Sequence, residues 1–102
     1  MTKRKLYPVI WDTKAFDDLK EILSYLTKRN EQAPKLIKQG IKKSIDIIKV
    51  NPFVFELDEL KTNNDESYRA FIVYSYRISY RFIENKILIL RIRHTSRNPL
   101  EH

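Results

Sequence analysis

Residues 68–94 read YRAFIVYSYRISYRFIENKILILRIRH, and no other stretch limits the fold as much. Three runs rich in Ile, Tyr, Phe and Val are separated by two short polar joints. β-branched and aromatic residues suit a pleated surface, and short joints between such runs mark antiparallel hairpins. The pattern predicts strands at 68–74, 76–84 and 86–94, with a turn at Glu84-Asn85-Lys86. The middle strand alternates cleanly. Tyr76, Ile78, Tyr80 and Phe82 fall on one side, and Arg77, Ser79 and Arg81 on the other. In the third strand Leu88, Leu90 and Ile92 are set against Ile87, Ile89, Arg91 and Arg93. In the first, Tyr68, Ala70, Ile72 and Tyr74 are set against Arg69, Phe71 and Val73. One face is then an apolar surface that must be covered. The other is an open face carrying Arg69, Arg77, Arg81, Arg91 and Arg93 among exposed Phe71, Val73, Ile87 and Ile89.

Upstream, the apolar period lengthens from two to about 3.6. Phe16, Leu19, Ile22, Leu23 and Leu26 predict a helix over 13–28, with Asp12 or Thr13 as its cap. Leu36, Ile37, Ile41, Ser44, Ile45 and Ile48 predict a second helix over 31–50, with Pro34 in its first turn. Asn51-Pro52 stops it. Its other face is basic, through Lys35, Lys38, Lys42, Lys43 and Lys49. Gly40, the only glycine, is expected where two helices approach closely. The apolar run at 6–11 predicts a short strand, and Pro8 places it at a sheet edge. The order strand, helix, helix, three-stranded antiparallel meander defines an α+β fold. The helical hairpin is expected to cover one face of the sheet.

With 102 residues the chain has room for one core. We read one domain over 1–99. Leu100-Glu101-His102 resembles the start of a vector-encoded Leu-Glu-polyhistidine extension and is set aside. The absence of cysteine excludes disulfides and thiolate metal sites and fits a reducing compartment. His94 is then the only native histidine, so neither a metal nor another cofactor is expected. No apolar run is long enough to span a membrane, and Met-Thr-Lys-Arg-Lys is unlike a secretory leader, so a cytoplasmic location is expected.

The formal charge of +7 implies attraction to something acidic: nucleic acid, an acidic protein or an anionic membrane surface. Arginines at alternate strand positions point further, since each offers a planar fork matched to phosphate or carboxylate. With one glycine there is no phosphate-cradling loop. Two uses of the arginine face stay open: binding, or RNA cleavage with arginines holding the scissile phosphate. Cleavage would also need proton carriers, for which Glu56, Glu59, Tyr74, Tyr80 and His94 are the candidates. Strict alternation puts His94 on the covered side.

Several fragments together resemble the RelE/ParE superfamily of toxins from type II toxin–antitoxin systems. They are Asn51-Pro52-Phe53, Leu60-Lys61, Tyr76-Arg77-Ile78-Ser79-Tyr80-Arg81 and His94-Thr95-Ser96-Arg97-Asn98-Pro99, in this order. The middle fragment looks like the family's Tyr-Arg-x-x-Tyr-Arg strand, and the last like a ParE-type His-x-x-Arg-Asn-Pro ending. The resemblance implies a toxin restrained by a cognate acidic antitoxin. The long hairpin and the ending favour the ParE-like (plasmid stabilisation) branch, whose members inhibit DNA gyrase and are not nucleases. RelE-like members instead cleave mRNA on the ribosome. A nuclease would draw on Arg69, Arg77, Arg81, His94 and Arg97. Phe71 and Val73 stand where that branch carries further basic groups, and no tyrosine follows Pro99. As a binder, the chain would use Arg69, Arg77, Arg81, Arg91, Arg93 and Arg97 toward its target, and Phe71, Val73, Ile87 and Ile89 toward the antitoxin. Arg77 and Arg81 are expected to be needed for toxicity. A non-toxic nucleic-acid-binding module is the third reading.

Overall fold

Asp12 begins the helical layer of this computed structural model, which describes residues 5–96. Its carboxylate accepts the backbone N–H of Lys14 at 2.8 Å, satisfying a donor that has no partner within the helix. Helix α1 then spans Thr13–Thr27, and α2 spans Gln32–Val50. At the joint, the Asn30 side chain accepts the Gln32 N–H at 2.7 Å. The strands are β1 (Val9–Trp11), β2 (Tyr68–Val73), β3 (Tyr76–Ile83) and β4 (Lys86–His94), in the sheet order β1-β4-β3-β2. The meander is antiparallel, but β1 runs parallel to β4, so the sheet is mixed. β1 lies at the edge, where the missing N–H of Pro8 costs nothing and its carbonyl accepts from Ile87 at 2.9 Å.

The helices cover one face of the sheet, as expected. Ile37, Ile41, Ile45 and Ile48 of α2 are buried with Ala15 of α1 over Tyr76, Ile78 and Tyr80. Ile78 and Tyr80 are fully buried, so the facing of β3 follows the sequence pattern. The Tyr80 hydroxyl donates to the Pro52 carbonyl at 2.7 Å and ties the sheet to the end of α2. The apolar stripes read from sequence run wider than the contact, since Phe16 and Leu36 stay exposed.

Two strands face the other way from the expectation. Phe71 and Val73 are buried, while Ile72 is 57% exposed and Tyr74, in the turn, 66%. The pairing gives the reason. Phe71 lies opposite Ile78 and Val73 opposite Tyr76, so the odd positions of β2 share the core side. In β4, Ile87 and Ile89 are fully buried opposite Phe82 and Tyr80. The register then shifts. Ser79 pairs with Arg91, leaving Leu90 as an extra residue, and Ile92 also turns inward. This β-bulge breaks the period of two. Phe71, Val73, Ile87 and Ile89 therefore belong to the core and offer no surface to an antitoxin.

Gly40 also has a different neighbour from the one expected. A Cβ there would sit 2.5 Å from Val73 Cγ1, so the glycine admits β2, not α1, against α2. Both hairpins close with two residues. Glu84 and Asn85 both have positive φ, at 53° and 59°, which suits the twist of a tight hairpin.

Candidate functional site: the open face of the sheet

Register assigns each arginine to a side. Arg77 and Arg93 lie opposite one another, and Arg81 lies opposite Leu88 and Tyr68, all away from the helices. Arg69 lies opposite Tyr80 and so stands on the covered side. Its guanidinium donates to the Phe55 carbonyl at 2.7 Å and packs over the Phe53 ring. Arg91 turns at the bulge toward α1, where Nε and a terminal nitrogen meet the two oxygens of Asp18 at 2.9 and 3.1 Å. The same carboxylate accepts the Ile92 backbone N–H at 2.9 Å. Asp18 thus serves the β4 edge beyond the end of β1, and its hydrogen bonds push the Arg91 pKa up. Placing Arg69 and Arg91 on the open face is therefore corrected: one braces a loop, the other clasps a helix. Arg97 lies outside the described residues.

His94 pairs with Tyr76 on the covered side, edge-on with ring centroids 5.4 Å apart. Its Nδ1 accepts the Ser96 backbone N–H at 3.1 Å. It lines a cleft of about 370 Å³ with Glu21, Ile22 and Tyr25 of α1. The sheet therefore separates His94 from Arg77 and Arg81. Tyr80, another candidate proton carrier, is buried, and burial pushes its hydroxyl up to about 12. Of the groups a nuclease would draw on, the four described, Arg69, Arg77, Arg81 and His94, do not converge.

The open face has residues that the sequence did not single out. Residues 56–58 run along the outer edge of β2, with Asp58 N–H donating to the Tyr68 carbonyl at 2.9 Å. This leaves Asp58 2% exposed, with its carboxylate 2.6 Å from an Arg77 nitrogen. The Leu60 N–H adds a bond to the same carboxylate at 3.0 Å. Arg81 is held differently. Its Nε donates to Ser67 Oγ at 2.9 Å and a terminal nitrogen reaches Asp65 at 3.4 Å. Asp65 keeps 58% of its side chain exposed. Hydrogen bonds from the Ser67 hydroxyl and backbone N–H, aided by the Arg81 charge, hold the Asp65 carboxyl below its usual range. The Arg81 guanidinium also lies over the Tyr68 ring at 4.7 Å, and Lys61 Nζ approaches the same ring at 4.6 Å. The only signal for these partners in the sequence was the acidic, polar stretch before the sheet. Among the described residues no group of three His, Asp or Glu could hold a metal, and no helix is long and apolar enough to cross a membrane.

A helical hairpin over a four-stranded mixed sheet, with cations on the uncovered face, defines the class: a small basic α+β domain. The family model described as the ParE toxin of the type II toxin–antitoxin system parDE matches residues 9–99, and the chain belongs to that family. It is therefore a toxin of the RelE/ParE superfamily. Solved structures share the fold. The chromosomal ParDE toxin–antitoxin system from P. aeruginosa aligns at a TM-score of 0.68 and 17% identity, covering 90% of this chain and 99% of that one. The isolated E. coli RelE toxin aligns at 0.59 and 14% identity, covering 90% and 87%. The RelBE2 toxin–antitoxin complex from Mycobacterium tuberculosis aligns at 0.57 and 18% identity, covering 92% and 97%. No curated protein sequence matches the chain.

Proposed function

We propose that this toxin acts by binding rather than hydrolysis, with DNA gyrase as its target and a cognate acidic antitoxin as its restraint. The observation that carries the reading is the separation of the nuclease candidates. Proton transfer needs its donor or acceptor within hydrogen-bond reach of the reacting group. His94 and Arg69 stand on the covered side, opposite Arg77 and Arg81. Arg77 is further committed to Asp58. What the open face offers is a rigid strand carrying fixed cations, which suits recognition of an acidic surface. Membership of the ParE family supports gyrase as the target. The antitoxin is supported by relatives whose structures are toxin–antitoxin systems. With Phe71, Val73, Ile87 and Ile89 buried, Ile72, Tyr74, Phe53 and Val54 are among the exposed apolar groups that a partner would cover.

Purified toxin should stop gyrase from supercoiling relaxed plasmid and leave translation running. Arrested translation with supercoiling intact would replace this reading with the RelE-like mRNA interferase. Calorimetry should show tight binding to the product of the adjacent gene, and no heat at micromolar concentrations would remove the antitoxin from the proposal.

A further inference from the structure

We infer that Lys61, Tyr68 and Arg81 form a carboxylate-exchange site on the open face, where an acidic segment of a protein partner displaces Asp65 from Arg81. The inference rests on the reading above that this toxin works by binding protein. Three observations carry it. First, two cations converge on one aromatic ring, with Lys61 Nζ and the Arg81 guanidinium 4.6 and 4.7 Å from its centroid. Both therefore border the Tyr68 ring. Second, the carboxylate beside Arg81 is only loosely bound to it, its other oxygen being held by Ser67. The Arg81–Asp65 contact is 3.4 Å with Asp65 mostly exposed, whereas the Arg77–Asp58 contact is 2.6 Å with Asp58 buried. Exposed pairs contribute little and exchange readily, while a buried pair is costly to part. Third, the loop that presents Asp65 is set by its own bonds. The Asn64 side chain donates to the Tyr68 carbonyl at 2.9 Å and accepts from Glu66 and Tyr68 N–H groups at 2.9 and 3.2 Å. The site thus persists when Asp65 lets go.

The choice of a carboxylate over a phosphate chain follows from the surroundings. Asp65 is itself a carboxylate, so an incoming aspartate or glutamate replaces it one for one. The aromatic floor of Tyr68 suits an apolar side chain beside the acid.

Fluorescence anisotropy with the intact toxin tests this. The probes are a labelled peptide of alternating glutamate and leucine, and an oligouridylate of equal length. Wild type should bind the peptide better than the oligonucleotide. Arg81→Ala should weaken the peptide about tenfold, in line with loss of a charge-assisted bond. Lys61→Ala should weaken it by a smaller factor. Asp65→Asn should tighten it up to about fivefold by removing the internal competitor. Asp65→Asn keeps all cations, so it reads the site even if Arg81→Ala folds poorly. Unchanged peptide affinity in Arg81→Ala and Asp65→Asn overturns the inference, as does tighter binding of the oligonucleotide. Gyrase inhibition is scored on the same proteins. Wild-type inhibition that survives Arg81→Ala leaves the proposed function standing while this site falls.

Discussion

The side of the sheet under the helices and the side away from them share the same strand, β3, yet obey different rules. Beneath α1 and α2, β3 sets Tyr76, Ile78 and Tyr80 into a close-packed core where each side chain is fixed by many weak contacts. On the other side Arg77 meets the buried Asp58, while Arg81 meets Ser67 Oγ, the Tyr68 ring and the exposed Asp65. The covered side has no freedom to spare. The open side is graded, from a pair that belongs to the fold to a pair that can open.

The largest effect that would sharpen this contrast lies in the core. Ile78→Ala should cost about 2–5 kcal/mol by urea unfolding, from lost transfer energy and the cavity left behind. A loss below about 1 kcal/mol would mean that the covered side is loosely packed. Arg77→Ala comes next. It takes the opposite charge away from the buried Asp58 carboxylate and should cost about 3 kcal/mol, whereas Arg81→Ala should cost less than about 1 kcal/mol. Equal losses at the two positions would erase the distinction between a bracing and an exchangeable arginine.

How far the sequence could anticipate the two sides depended on contrast within each strand. In β3 one alternate set is aromatic and aliphatic and the other polar, so its facing was legible from period alone. In β2 and β4 both alternate sets contain large apolar residues, so period could not choose between them. Cross-strand pairing chose for β2, through Phe71 against Ile78. The bulge at Leu90 then let Ile89 and Ile92 both face inward, and no periodic pattern announces such a shift. The helices were legible through their caps and stripes. The arginines were legible as residues but not as interactions. Asp58 lies 19 residues from Arg77, and Asp18 lies 73 from Arg91, so only the fold brings them together. Lys61 and Tyr68 were read only as parts of a fragment and a strand, for the same reason.

A smaller effect links the two layers through Tyr80. Its hydroxyl is buried on the Pro52 carbonyl, so Tyr80→Phe should cost about 1–2 kcal/mol. The folded protein holds this phenol up to about 12, against an ordinary value near 10. The folded value is raised, so this contribution is fully present below pH 10 and lost as pH rises toward 12. Denaturation curves across that window should show wild type losing stability faster than Tyr80→Phe. Parallel curves would mean that the hydroxyl is not sequestered.

Incubating wild-type toxin with ribosomes programmed with mRNA, and mapping new 5′ ends, tests the central claim most directly. A toxin whose Arg77 and Arg81 lie on the side of the sheet opposite His94 should leave the message uncut at concentrations that halt supercoiling. Codon-specific cleavage that disappears in Arg81→Ala would show that the open face performs hydrolysis and would contradict the account.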